Sequence, residues 1–183
     1  MTFDMLDKTK SVDAGGFDAN QNRTTTESHQ FVHGYMTVVK NQGKENEEIL
    51  CLNKHNLLTI DGRDAMHDAL YVDTSATQVG FNYIALSTNT GGADETHTSL
   101  AGEITSGGLE RAIATTKSHS AGANTTTLAE TFTATTSHTA VQLSGLFDSS
   151  NTSTSTMGHE ATFTPASLEN ADTLTVTWTL TLG

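Results

Sequence analysis

From Thr173 to Leu182 the chain reads TLTVTWTLTL, in which Leu174, Val176, Trp178, Leu180 and Leu182 alternate without a break with threonines. Side chains along a β-strand point to opposite faces with a period of two, so this stretch buries one face and presents hydroxyls and methyls on the other. Wound into a helix, the same residues would spread apolar side chains around the whole axis. A strand with one apolar face needs a second layer over it, and in a chain rich in strand-forming runs that layer is another sheet. Trp178, in the middle of the run, is expected to anchor the core, with Phe81 and Tyr83 of a second apolar strand as further anchors.

β character continues through most of the chain. Leu109 to Thr116, Thr127 to Thr136, Ala140 to Phe147 and Glu160 to Thr164 read as strands, separated by Ser, Thr, Asn and Gly clusters such as DSSNTSTSTMG. Pro165 is expected to end the last of these. Nearer the N-terminus, Phe31 to Lys40 and Glu48 to Leu52 flank the polar, Gly-containing segment Asn41 to Asn46 and read as a hairpin. The fold class is therefore mainly β: an antiparallel, jelly-roll-like β-sandwich over residues 31–183, with one α-helix packed on it and an extended N-terminal arm over residues 1–30.

The helix comes from the stretch Asn56 to Leu86, NLLTIDGRDAMHDALYVDTSATQVGFNYIAL. Asp61 is placed to cap a helix beginning near Gly62, with Asp64 as the acidic partner of a capping box. Ala65, Met66, Ala69 and Leu70 fall on one side and Arg63, Asp64, His67 and Asp68 on the other, which predicts a helix over about residues 61–72. Phe81 to Leu86, apolar except for Asn82, reads as a strand covered on both sides, with the helix as one cover. The wet residues Arg63, His67 and Asp68 are candidate contacts with a partner.

The first 30 residues hold few large apolar side chains, a Gly15-Gly16 pair and the polar run NQNRTTTESHQ. Such a segment builds no core of its own. Fully extended it reaches on the order of 100 Å, enough to lie across neighbouring subunits. Phe17 within it and Phe31 at its end are its candidate interface residues. The N-terminus has no basic region followed by an apolar run, so no secretory signal is expected. No apolar run approaches the length that spans a bilayer.

Charge narrows the partners. A formal net charge of -12 argues against nucleic acid and against an anionic membrane, because phosphate binding needs clustered Lys and Arg. No Lys or Arg follows Lys117, whereas Glu130, Asp148, Glu160, Glu169 and Asp172 do. That half is kept soluble by Thr, Ser, Asn and a few carboxylates, a surface typical of extracellular and virion β-proteins. Cys51 is the single cysteine, so there is no intrachain disulfide.

No arrangement points to catalysis. His29 and His33 stand at i, i+4, yet Gln30-Phe31-Val32 between them reads as extended and no third ligand has motif spacing. Asp61, Asp64 and Asp68 are explained by capping and solvation rather than by paired-acid chemistry. There is no G-x-S-x-G, phosphate loop, dinucleotide fingerprint or H-E-x-x-H. No catalytic residue, cofactor or metal ligand is assigned, and a non-enzymatic role is expected.

With those residues placed, the chain resembles a loose family of small structural proteins of tailed viruses, found around tails, fibres and virion surfaces. The likeness runs from Asn53 to Leu182. It rests on N-L-[LV]-T-x-x-G-[RL] leading into a helix, here Asn56-Leu57-Leu58-Thr59-Ile60-Asp61-Gly62-Arg63, and on the strand Asn82-Tyr83-Ile84-Ala85-Leu86-Ser87-Thr88, where Ser87 stands at a usual Gly. A T-x-L-x-x-E element follows, Thr98-Ser99-Leu100-Ala101-Gly102-Glu103, then Arg111, Gly145-Leu146-Phe147-Asp148, and Ala161-Thr162-Phe163-Thr164-Pro165 ahead of the last strand. The resemblance implies a virion component, made in the host cytoplasm, whose partners are other capsid or tail subunits and copies of itself. It supplies no catalytic residues. Capsid decoration or cement and a tail, collar or fibre-attachment role both stay open. A receptor- or glycan-binding module, using loops between strands, is the alternative. The strand from Thr173 to Leu182 is read as an edge ready to pair with a neighbour.

Overall fold

The computed structural model describes residues 32–67 and 80–182. The expected arm, including Phe17, lies outside them, as do Phe31 and the expected helical residues from Asp68 onward. The elements are β1 (Val32–Lys40), β2 (Glu48–His55), β3 (Leu57–Leu58), α1 (Ile60–His67), β4 (Tyr83–Ser87), β5 (Ala112–Ile113), β6 (Thr116–His119), β7 (Thr125–Thr133), β8 (His138–Phe147), β9 (Met157–Leu168) and β10 (Thr173–Leu182). They form two antiparallel five-stranded sheets. The front sheet has the order β2-β1-β10-β7-β6 and the back sheet β3-β9-β8-β4-β5. The described residues form a β-sandwich with one helix. Its first and last described strands lie side by side, while the hairpins β1–β2, β6–β7 and β8–β9 each stay within one sheet.

Alternation decides the core. Met36 and Val38 of β1, Leu128 and Phe132 of β7, and Leu174, Val176 and Trp178 of β10 face Ile84 and Leu86 of β4, Leu146 of β8 and Phe163 of β9 in one buried cluster. Trp178 is fully buried at its centre. A side chain of that size contributes several times the roughly 0.8 kcal/mol of a buried methylene, so losing it is felt across both sheets.

The flanks are made by strands that change sheet. β2 passes into β3 through Asn56, and β5 passes into β6 through Ala114 and Thr115. Each flank of the sandwich is thus one bent strand, a usual way to turn a corner between packed sheets. The bends keep their backbone groups paired: Asn56 N–H donates to the Gly34 carbonyl (2.9 Å), and Ala114 N–H donates to that of Asn82 (2.8 Å).

The structure corrects four expectations. β10 is not an edge; it pairs along its length with β1 on one side and β7 on the other. Pro165 does not end its strand, because β9 runs on to Leu168. Proline is tolerated there since the register slips between the pairs Leu143–Thr162 and Val141–Ala166, so Pro165 sits in a bulge where no ladder donor is required. The helix cap is Thr59 rather than Asp61: Thr59 Oγ1 accepts the Gly62 N–H (3.0 Å), and Arg63 N–H closes the first turn on the Thr59 carbonyl (3.0 Å). Asp61 then falls inside the first turn, where its charge still suits the dipole. Finally, α1 packs on β9 rather than over β4. The second cover of β4 is the segment around Leu100, whose neighbour Ile104 donates its N–H to the Leu86 carbonyl (2.8 Å).

Candidate functional site

Three groups of polar residues and one surface are the places where this chain could act. The first surrounds the N-L-L-T-x-x-G motif. Asn56 is buried under Gly34, where any added Cβ would come within 2.7 Å of the Asn56 side chain. Its Nδ2 donates to His159 Nδ1 (2.6 Å), which puts the imidazole proton on Nε2. His159 is wholly buried between the Phe81 and Trp178 rings, at 6.5 and 6.3 Å between centroids. Burial lowers its pKa from 6.5 to about 4, so it is neutral at pH 7. The Thr59 hydroxyl donates to the Met157 carbonyl, and Gly62 lies against the backbone of Gly158, where a side chain would collide. Every polar or glycine residue of this motif that the structure describes at close quarters is therefore holding α1 and the bend at Asn56 onto β9.

The second group ties down the loop after β4. Glu160 is fully buried, and its Oε2 accepts from the Asp94 N–H (3.1 Å) and from His97 Nδ1 (2.9 Å). The Glu95 carbonyl of the same loop accepts the Ile60 N–H at the start of α1 (2.8 Å). One buried carboxylate thus fastens loop, helix and strand together.

The third group lies on the back of the molecule. Arg111 makes a bidentate pair with Glu103 (2.8 and 2.6 Å), donates to the Ser149 carbonyl (3.0 Å) and to Ser155 Oγ (2.6 Å), and sits 3.6 Å over the Phe147 ring. Its side chain is 3% exposed. All of its donors are directed into the protein, so it offers little to a ligand.

The surface is the outer face of the front sheet. On β10 it carries Thr173, Thr175, Thr177, Thr179 and Thr181. Opposite them stand Thr133, Thr131, Ala129, Thr127 and Thr125 of β7. On the other side stand Thr37, Tyr35 and His33 of β1, in register with Thr177 to Thr181, while Val39 beside Thr175 shares their parity but is only 9% exposed. Ile49 and His55 of β2 and Thr116 and Ser118 of β6 extend it outward. No Asp, Glu, Lys or Arg occupies any of these positions, in a chain whose formal net charge is -12. The charged residues of these strands occupy the opposite parity and reach round the flanks: Lys54 Nζ, for example, donates to Thr162 Oγ1 on β9 (2.6 Å). Ile49 is 58% exposed and Tyr35 39%. A shallow groove of about 410 Å³ runs among Tyr35, Asn53, Thr179 and Thr181. Asn53 reaches it from a bulge in β2, with φ at 48°.

The residues named from the sequence fall as follows. Arg63 is exposed on α1 and makes no ion pair among the described residues. His67 ends the described part of α1, and Asp68, Phe17 and Phe31 lie outside the described residues. Trp178 and Phe81 belong to the central core, Phe81 also covering Gly158 at 2.6 Å from where a Cβ would be. Tyr83 packs instead with the smaller cluster behind the back sheet. Cys51 is half-buried and bonded through Sγ to the Met36 carbonyl, and burial raises its pKa. Among the described residues no group of three or more His, Cys, Asp or Glu is arranged to hold a metal ion.

Compared with family models, curated proteins and solved structures, the chain matches none. The function has to be argued from its own surfaces. Sequence reading found the threonine face of β10 but not that of β7, although TTTLAETFT carries the same signal: every residue at the outward parity is Thr or Ala.

Proposed function

We propose that the chain is a non-enzymatic structural component of a tailed-virus particle, holding other virion proteins or copies of itself as capsid decoration or as a tail, collar or fibre-attachment protein. The observation that carries this reading is the uncharged outer face of the front sheet. A sheet face that meets only water gains solubility and edge protection from Lys and Glu. A face that is buried in an assembly loses by them, and charge depletion is what distinguishes the centre of an interface from ordinary surface. The three polar groups described above support the reading from the other direction, since each spends its hydrogen bonds on holding the sandwich rigid.

The test is location. Purified particles analysed by mass spectrometry and by antibody labelling should contain the chain in many copies at a fixed place, on the shell or on the tail. Particles lacking it altogether, from cells that express it well, would overturn the proposal. Removing residues 1–30 should lower incorporation if the arm contributes contacts.

A further inference from the structure

We infer that the outer face of the front sheet is a self-association surface, and that its occupant is a second copy of the same chain laid face to face across a two-fold axis. This deepens the assembly reading and rests on it for the face, while naming the partner independently.

Three observations favour a second copy. First, charge: two molecules of net charge -12 repel, and the surface by which they can approach at least cost is the one that bears no formal charge. Second, chemistry: a hydroxyl is both donor and acceptor, so an array of threonines is hydrogen-bond complementary to its own copy, whereas a carboxylate or ammonium array is not. The pairing already occurs within the face, where Thr131 Oγ1 and Thr175 Oγ1 lie 3.0 Å apart. Third, size: four strands of eight to ten residues and one of four, about 4.8 Å apart at 3.3 Å per residue, make a face of roughly 630 Å². That approaches the ~800 Å² which each partner contributes to a standard stable interface.

The face also has the features of a two-fold contact. In an isologous pair each copy offers the same patch, so one anchor and one recess per copy serve both halves. Tyr35, exposed beside the groove it lines with Asn53 and Thr179, supplies an aromatic anchor and a recess within the same patch. Its ring is braced edge-on by His55 at 5.4 Å, which limits the entropy lost on docking. Small side chains over the rest of the face let the two sheets approach as closely as sheets do within a sandwich.

The experiment is sedimentation of the full chain from about 1 to about 100 μM, the range in which interfaces of this size separate into tight and weak. The expected result is a species of twice the 19.4 kDa chain mass. Thr131→Lys, at an exposed position, and Thr177→Lys, at the centre, should each weaken association at least tenfold while circular dichroism and melting stay near those of the parent. Thr152→Lys, on an exposed loop away from the face, should leave it unchanged. Should either sheet variant fail to fold, amide hydrogen exchange on the parent replaces it: protection should rise with concentration in β1, β7 and β10 and not in β4 or β8. A monomer across the whole range, or a dimer that persists in folded Thr131→Lys and Thr177→Lys, overturns the inference. Incorporation of the same variants into particles separates the two readings. Loss of incorporation from a monomeric parent removes the second copy and keeps the face as an assembly surface. A dimer broken by the variants with incorporation intact does the reverse.

Discussion

On the back sheet, Ala85, Leu143, Phe147 and Met157 point away from the central core and are nonetheless buried, because Leu100, Tyr83 and the Arg111 side chain close over them. On the front sheet, most of the equivalent outward positions hold threonines, and these are exposed or partly exposed among the described residues. Among the described residues the sandwich therefore has a third layer on one side only. The difference is already one of composition: β4 and β8 are apolar at consecutive positions, as strands covered on both faces are, while β10 and β7 alternate. It also separates the roles of polar residues. On the covered side they are single and turned inward onto the chain's own groups, as in Glu103–Arg111 and Glu160–His97. On the bare side they are many, neutral and turned outward. The covered side is closed by the chain's own residues, and the bare side is the one that the proposed second copy would cover.

The largest expected effect tests whether the third layer is a real core. Phe147→Ala removes a ring that is 1% exposed behind the back sheet and also leaves Arg111 without its stacking partner. It should cost about 3 to 5 kcal/mol in denaturant melts, as much as Trp178→Ala between the sheets. A cost below about 1 kcal/mol for Phe147→Ala, with Trp178→Ala remaining large, would reduce the covered side to a loop resting on a two-layer fold.

Acid should act next, from inside the seam that both sides share. His159 is held neutral down to about pH 4 by burial, whereas in the unfolded chain it takes a proton below 6.5. Its contribution to stability is therefore complete above 6.5 and lost as the pH falls towards 4, amounting to about 3 kcal/mol. Asp172, whose pKa is lowered from 3.8 chiefly by the Glu169 N–H, and Asp94, lowered chiefly by its bond to Thr96, lose their own contributions at the acid end, but they do so equally in the parent and in a His159 variant, so the difference between the two isolates the imidazole. His159→Gln offers Asn56 an acceptor without a titrating ring, so its melting temperature should be flatter between pH 6.5 and 4 than that of the parent. Equal slopes in the two proteins would show that the imidazole is not shielded as described.

How much of this was readable from the chain depends on range. The strand pattern of β10, the hairpin β1–β2 and the position of α1 follow from residues close in sequence, and all are present. Asp61 has the better capping side chain, yet Thr59 holds the cap. What decides the matter is the hydroxyl's bond to the Met157 carbonyl, 98 residues away. The same holds for Pro165, whose bulge is set by β8, and for β10, whose central place depends on which strands come to either side. Among candidate site residues, Arg63 could be placed on an exposed helix face by periodicity alone. The Arg111–Glu103–Phe147 node could not, since each member is ordinary until the loop from Leu100 folds back on β4. The uncharged face lay between these cases: each strand shows its half of the pattern locally, and only the register shows that the halves are contiguous.

The smallest expected effect on stability carries the most about the bare side. Thr175→Ala deletes one hydroxyl of the Thr131–Thr175 pair on an outward, partly exposed position. Because water replaces the lost bond and only modest strand propensity is given up, the isolated chain should lose no more than about 0.5 kcal/mol. In an assembled state the same hydroxyl is cut off from water, and an unpaired partner across the contact costs about 1 to 3 kcal/mol. The substitution should then be nearly silent in dilute melts and visible in association or incorporation. An effect of equal size in both settings would mean that this face meets only solvent, and the contrast between a finished and an unfinished side would fall with it.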